Sequence, residues 1–197
     1  MSRIKHTKNE LKAQRDALRR FRRYLPTLQL KKQQLQIEMR QIEARIEEKE
    51  AEEAGVRKAL AAWQRLFAEP FDFGKHLAVR EVRTSVGNIA GVSIPVLEEL
   101  ALARSVPDLF ASPPWVDDAL DALEKLARLR IEREVLAEQR RLLGEELRTT
   151  SQRVNLFEKV KIPESEENIR VIRIFLGDAQ TADVARAKIA KRKGVAA

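Results

Sequence analysis

Residues 4–67 read IKHTKNELKAQRDALRRFRRYLPTLQLKKQQLQIEMRQIEARIEEKEAEEAGVRKALAAWQRLF, and one seven-residue frame fits this stretch from end to end. Two sets of positions in this frame form a seam. The first set is Ile4, Leu11, Leu18, Leu25, Lys32, Met39, Ile46, Glu53, Leu60 and Phe67, and the second is Thr7, Gln14, Phe21, Leu28, Leu35, Ile42, Lys49, Val56 and Trp63. Most seam residues are apolar and most of their neighbours are charged. An average apolar spacing of 3.5 residues is typical of a coiled-coil helix.

A second periodic region supplies a partner of matching length. Its seam positions, spaced alternately by four and three, are Ala122, Leu126, Leu129, Arg133, Leu136, Arg140, Leu143, Leu147, Thr150, Val154, Phe157 and Lys161. Beyond Pro163 the seam resumes one residue out of step, at Ile169, Ile172, Leu176, Ala179, Asp183, Arg186 and Ala190. At 1.5 Å per residue, residues 4–67 and 116–190 would form helices of about 96 and 112 Å. Two such helices fold most simply as an antiparallel hairpin.

Local signals place the helix ends and bends. Thr7 and Glu10 have the spacing of a capping box at the first helix, and Ser2 offers an alternative, earlier start. Pro26 should kink that helix, and Pro163, together with the shift in frame, predicts a bend in the second. The acidic residues Asp117 and Asp118 suit the first turn of the second helix.

The intervening segment has a different character. The run from Glu69 to Gly74 combines proline, glycine and aromatic residues, and it marks a boundary. We predict a short β-hairpin in which residues 77–86 pair with 89–94 around Gly87-Asn88. Residues 97–103 are expected to form one or two helical turns.

The predicted fold class is therefore all-α dominated, a long antiparallel two-helix coiled-coil hairpin with a small β-hairpin-containing insert at its tip. The predicted division is an N-terminal helix (1–67), a tip insert (68–115) and a C-terminal helix with a basic tail (116–197).

Composition and charge narrow the function classes. The 197 residues include no cysteine, and 5% are aromatic. The absence of an N-terminal signal and of a long apolar run predicts a protein that is neither secreted by a standard signal nor inserted in a membrane. Residues 1–32 hold eleven Lys or Arg against Glu10 and Asp16, and residues 182–197 hold five against Asp183. An antiparallel hairpin would bring these two basic ends together.

No catalytic constellation is present. The sequence contains neither a phosphate-binding G-x-x-x-x-G-K-S/T loop nor an H-E-x-x-H motif. His6 and His76 lack a third ligand nearby in the sequence, so no metal and no other cofactor is expected. We expect a chain that is not itself an enzyme.

Residues 148–163, RTTSQRVNLFEKVKIP, carry more information than periodicity alone. This run resembles the T-x-x-R-V-N-x-L-E-x-x-x-I-P pattern near the C-terminus of the D subunit of the vacuolar and archaeal type rotary ATPases. The matching positions are Thr150, Arg153, Val154, Asn155, Glu158, Ile162 and Pro163, and they are the candidate interaction residues. Weaker similarities lie at residues 7–11, 30–32, 88–95 and 187–193.

The resemblance implies a non-catalytic central-stalk component of a complex that couples ATP hydrolysis or synthesis to proton or other ion transport. Its implied partners are the catalytic and regulatory nucleotide-binding subunits of a ring, a small central-stalk subunit, and a stalk subunit that links to the membrane rotor ring. The implied location is cytoplasmic and peripheral to the membrane, without direct insertion.

Three other interpretations fit the sequence. A coiled-coil spacer or adaptor would need no special chemistry. A basic helical hairpin could bind nucleic acid through phosphates, although the basic segment has few interleaved aromatics and no reader motif. A parallel homodimer would place identical termini together and would need no tip insert.

Overall fold

The structure, a computed structural model, describes residues 4–61, 71–108 and 112–195, with side chains described up to residue 192. It confirms the predicted helical hairpin with a two-stranded insert. In chain order the elements are α1 (Lys8–Ala61), α2 (Phe73–His76), β1 (Leu77–Ile89), β2 (Val92–Arg104), α3 (Val116–Leu156), a π-helical turn (Phe157–Lys161) and α4 (Ile162–Val195). The predicted seam positions Trp63 and Phe67 lie outside the described residues.

Helix α1 begins where the capping signal predicts. The backbone N–H of Glu10 donates to Thr7 Oγ1 at 3.2 Å, which satisfies one of the free donors at the helix N-terminus. The helix then continues through Pro26 as far as Ala61. The kink expected at Pro26 stays a prediction.

The chain divides into two compact units, Met1–Lys32 with Thr149–Ala197 and Gln33–Arg148. The predicted three-part division of the sequence remains a prediction.

In the first unit the ring centroids of Phe21 and Phe157 are 5.2 Å apart, and those of His6 and Phe175 are 4.7 Å apart. Phe21 follows His6 in the chain, whereas its partner Phe157 precedes Phe175, the partner of His6. The two helical segments of this unit therefore run antiparallel.

The second unit holds a tightly packed core. Its members are buried apolar residues of both helices and of the hairpin, namely Leu35, Ile42, Ile46, Ile94, Leu136 and Leu143. The tip of the hairpin, through Ile89, Ala90 and Val92, packs against the same cluster. The hairpin therefore lies against the helix pair.

The π-helical turn explains why the seam is one residue out of step. The backbone N–H of Ile162 donates to the carbonyl of Phe157, five residues back, so this turn contains one residue more than an α-helical turn. The earlier frame would place Glu164 in the seam, but Glu164 is exposed, and Ser165, Ile169 and Ile172 are buried instead. The inserted residue keeps the apolar side chains facing the partner helix. The bend expected at Pro163 stays a prediction.

The β-hairpin is longer than predicted, and its turn is not at the predicted residues. Strand β1 pairs antiparallel with β2 from Leu77↔Arg104 to Ile89↔Val92, so the prediction of helical turns at residues 97–103 was wrong. The predicted turn at Gly87-Asn88 was also wrong, because both residues belong to β1. Ala90 and Gly91 form the two-residue turn with φ of 51° and 81°, and Gly91 N–H donates to Asn88 Oδ1 at 3.0 Å.

Polar residues in the seam of the second unit pair across the helices. The Glu53 side chain is only 5% exposed and lies 2.5 Å from Arg57 Nη2 and 3.2 Å from Arg133 Nη1. Lys49 Nζ lies 3.0 Å from Glu132, and the hydrogen bond from Lys49 to this carboxylate raises the pKa of Lys49. These pairs allow charged residues to occupy seam positions without an unpaired buried charge.

Replacing either of two glycines with alanine should change the stability of the chain, in opposite directions for the two positions. In Gly87→Ala the new Cβ would lie 2.7 Å from Val96 Cγ2, whereas in Gly144→Ala it would lie 3.9 Å from Met39 Cε, an ordinary contact. We expect Gly144→Ala to stabilise the chain by about 0.5–1 kcal/mol because alanine favours the helix interior. Gly87→Ala should destabilise it by about 1–3 kcal/mol through overpacking. Urea denaturation followed by circular dichroism measures both, and a shift of the same sign in the two variants would contradict this expectation.

Removing the buried carboxylate should weaken the second unit. Glu53→Ala leaves Arg57 and Arg133 without their shared partner, and we expect a loss of about 1–3 kcal/mol in the free energy of unfolding. The control is Glu52→Ala, because Glu52 is 42% exposed and lies 3.6 Å from Lys49 in an ion pair within the same helix. This control should cost at most about 0.5 kcal/mol. Equal losses in the two variants would show that burial of Glu53 is unimportant.

Candidate functional site

The seven residues of the motif lie at the end of α3, in the π-helical turn and at the start of α4. Thr150 and Val154 are 1% and 4% exposed, respectively, so they belong to the helix packing of the first unit. Ile162 is half-buried. Thr150 and Val154 are therefore not available as a docking surface.

The other four motif residues face outward. Arg153, Asn155, Glu158 and Pro163 are exposed. Among the described residues, no side-chain hydrogen bond or ion pair engages Arg153, Asn155 or Glu158. The structure thus divides the motif between packing and surface, and the exposed polar members can reach a partner without disturbing the helix pair.

Two apolar side chains beside the motif also face solvent, although neither belongs to the motif. Leu156 is 44% exposed and Val160 is 47% exposed. Both fall outside the seam frame, which is the signal that identifies them. Together with the exposed motif residues they define a surface of mixed polar and apolar character, called here the π-turn surface: Arg153, Asn155, Leu156, Glu158 and Val160.

The π-helical turn itself is held in place by neighbouring contacts. The Phe157 ring packs against Phe21, as described above, and Lys161 Nζ lies 3.0 Å from Glu164 Oε2. Pro163 lacks a backbone N–H, and in an α-helix its ring would clash with the carbonyl of Lys159. A widened turn immediately before Pro163 gives that ring room. Pro163 therefore favours an irregular turn at the position of the motif.

The first unit carries a strongly basic surface along α1. The exposed cations at its N-terminal end are Lys5, Lys8, Lys12, Arg15, Arg19, Arg20, Arg22 and Arg23. Arg22 pairs with Glu166 of α4 at 2.5 Å. Further cations, Arg186, Lys188, Lys191 and Arg192, are exposed on the last turns of α4. This concentration of positive charge favours an acidic partner surface.

Exposed ion pairs elsewhere on the helices are local. In α4 a hydrogen bond from Arg170 lowers the pKa of Glu167, and in α3 a hydrogen bond from Arg141 lowers the pKa of Glu138. Both are pairs of residues three apart on a solvated helix face, which contribute little to stability. Neither pair assembles a reactive site.

The two histidines have structural neighbours. The His6 ring packs against Phe175, while His76 Nδ1 lies 2.9 Å from Ser105 Oγ and the His76 ring stacks on Phe71. In the parts of the chain that the structure describes, no group of three His, Cys, Asp or Glu residues is placed to hold a metal ion. Within the same ranges, none of the helices combines the length and the apolar character that crossing a membrane requires.

Comparison with known proteins places these features in a family. The chain matches the family of the ATP synthase D subunit over residues 10–192. It is 47% identical over 191 residues to the V-type ATP synthase D subunit of Borreliella burgdorferi, and the match covers 97% of this chain and 95% of the relative. It is 37% identical over 196 residues to the protein of the same name from Chlamydia caviae, with 98% and 94% covered. The resemblance detected in the sequence is confirmed, and the chain belongs to the ATP synthase D-subunit family.

Proposed function

We propose that this chain is the central shaft of a V/A-type rotary ATPase. In this role it transmits torque between ATP hydrolysis or synthesis in a catalytic ring and ion translocation through a membrane rotor. The observation that carries the proposal is the family match over residues 10–192, joined to near full-length similarity to the D subunit of V-type ATP synthases. The antiparallel helix pairs supply the stiffness that torque transmission requires.

The chain acts without catalysing ATP hydrolysis itself. Its contribution is an asymmetric surface that faces chemically equivalent sites of a surrounding ring. Basic α1 and the less basic start of α4 present different side chains in different directions, so each rotary orientation stabilises a different nucleotide state at each site. This is a shift of populations by differential contact.

Three groups of partners follow from this role. The basic termini contact the catalytic and regulatory nucleotide-binding subunits of the ring, where acidic surfaces complement the exposed cations. The β-hairpin and the adjoining helices contact a small central-stalk subunit and the stalk subunit that links to the membrane rotor. The chain is thus peripheral to the membrane on the cytoplasmic side, and it does not bind nucleic acid.

The π-turn surface is part of the interface in this assembly. Its polar residues are exposed and its apolar residues fall outside the seam, so the packing of the helix pair does not account for them. An irregular turn also changes the direction in which successive side chains project. Arg153, Asn155 and Glu158 therefore act as contact residues, whereas Thr150, Val154, Ile162 and Pro163 fix the shape of the segment.

Shortening the basic end should reduce coupling more than nucleotide binding. A chain ending at Ala182 lacks five cations and Asp183, a net charge of +4. We expect lower torque and a lower ratio of ion transport to ATP hydrolysis, with the nucleotide affinity of the ring unchanged within about twofold. Single-molecule rotation with a bead attached to the hairpin measures the torque.

The matched control retains the full helix and removes only its charge, by changing the same five cations to Gln and Asp183 to Asn. If the truncated and neutralised chains lose torque equally, the loss is due to the missing charge. If only the truncated chain loses torque, the loss is due to the shorter helix. Full torque in both variants, or no rotation of the intact complex, would contradict the shaft role.

The π-turn surface provides a second test. Asn155→Ala and Glu158→Ala should change the free energy of unfolding of the isolated chain by no more than about 0.5 kcal/mol because both side chains are exposed. Each should weaken assembly with the purified ring about fivefold or more, the loss expected for one interfacial hydrogen bond to a charged or polar group. Titration of the ring with labelled chain measures the affinity.

Lys159→Ala is the control for this test, because Lys159 is exposed in the same turn and lies outside the motif. It should assemble as the unmodified chain does. An equal loss in all three variants would indicate a general effect on the turn, and no loss in Asn155→Ala and Glu158→Ala would remove these residues from the interface.

A further inference from the structure

The hairpin has two outer edges, and their backbone groups can be assigned from the register. The two-residue turn makes Ile89↔Val92 a hydrogen-bonded pair, and such pairs alternate with pairs whose N–H and C=O groups point away from the partner strand. The outward-pointing pairs are Asn88↔Ser93, Val86↔Pro95 and Thr84↔Leu97. Each edge therefore presents a row of backbone donors and acceptors.

The edge of β2 is protected. Pro95 has no N–H to present, and its carbonyl oxygen accepts a hydrogen bond from Gln139 Nε2 of α3 at 2.5 Å. This contact also agrees with the assignment, because Pro95 is one of the outward-pointing positions. A proline and a covering helix are two devices that prevent another strand from adding to an edge.

The edge of β1 has neither device along Thr84–Asn88. This stretch contains no proline, and among the described residues no backbone or side-chain group from outside the hairpin bonds to the backbone of Thr84, Val86 or Asn88. On its N-terminal side the register slips at Arg80, which has no partner in β2 between Val79↔Leu102 and Glu81↔Ala101. The register shifts again between Arg83 and Thr84, because Glu98 of β2 has no partner between Arg83↔Glu99 and Thr84↔Leu97. Such bulges interrupt regular pairing, so the open edge is limited to the residues after Arg83.

The side chains along this edge suggest what it would bind. Val86 is 80% exposed, more than any other large hydrophobic residue of the two strands. Arg80 is exposed and forms no ion pair among the described residues, whereas the nearby Arg83 is paired with Glu81 and Glu99. An apolar side chain opposite Val86 and an acidic residue near Arg80 would complement these features.

We propose that the outer edge of β1, residues 84–88, accepts an extended segment of another subunit of the complex and becomes the central strand of a three-stranded sheet. Only an extended backbone offers donors and acceptors at the spacing that alternate residues of a strand present. The segment carries an apolar residue opposite Val86 and an acidic residue toward Arg80. This inference deepens the proposed function, on which it rests for the existence of the partner subunit.

Hydrogen exchange tests the proposal directly. In the isolated chain the amides of Thr84, Val86 and Asn88 should exchange rapidly, while those of Ser85, Gly87 and Ile89, bonded to β2, should exchange slowly. In the assembled complex the first three should slow by about tenfold or more, because they acquire backbone acceptors. Unchanged exchange of these three amides on assembly would overturn the proposal.

A proline substitution provides an independent test. Val86→Pro removes an outward-pointing N–H and leaves the bonds between β1 and β2 in place, as Pro95 already does across the pair. Val86→Thr is the matched control, because it keeps the N–H and the β-branched shape. We expect Val86→Pro to bind the other stalk subunits at least about fivefold more weakly than Val86→Thr. Equal binding by the two variants would overturn the proposal, provided that Ser85 and Gly87 remain protected in both.

Two further outcomes are distinguishable. Protection of Thr84, Val86 and Asn88 in the isolated chain that rises with concentration, together with a dimer in sedimentation, would assign the edge to a second copy and overturn the proposed occupant. ATP-driven rotation is measured on the same preparations. If rotation fails while edge protection appears on assembly, the shaft role is wrong and the strand addition stands.

Discussion

The fold depends on keeping two narrow apolar seams in contact along antiparallel helices. A seam with an average spacing of 3.5 residues leaves little tolerance, because one inserted residue rotates every later side chain by about 100° around an α-helix. The C-terminal half of the helical hairpin contains such an insertion before Pro163. The π-helical turn absorbs it, so that Val154 before the turn and Ile169 and Ile172 after it are all buried.

This constraint also explains why much of the helical fold could be predicted from sequence and why the π-helical turn could not. The periodicity of the apolar residues predicted both helices and a one-residue shift of frame, which it placed beyond Pro163 rather than in the turn before it. The acidic residues Asp117 and Asp118 indicated the start of α3. A shift of one residue can be absorbed by a bend, a break or a π-helical turn, and periodicity does not distinguish these solutions. The bond from Ile162 N–H to the carbonyl of Phe157 identifies the one adopted here.

The β-hairpin shows that a turn-forming composition alone does not locate a turn. Gly87-Asn88 has the composition of a turn, but each residue serves another purpose. Gly87 leaves room for Val96, and Asn88 supplies the side-chain oxygen that holds Gly91. Ala90 adopts a positive φ, which alanine seldom does, so composition did not indicate the turn. Residues 97–103 have helix-forming composition, yet pairing with β1 makes them a strand, as tertiary context often overrides propensity.

The sequence marked the positions of the motif, but it did not indicate which of them pack and which face solvent. A family pattern marks positions without saying whether each residue packs or contacts a partner, and here Thr150 and Val154 pack while Asn155 and Glu158 face solvent. The same separation recurs in the hairpin, where Ile94 anchors the strands in the core while Val86, on the opposite face of the sheet, is exposed. In both places a buried residue fixes the backbone close to an exposed one. Since rigid support reduces the entropy that a side chain loses on binding, these anchored surfaces are better suited to holding a partner than the unanchored end of a helix.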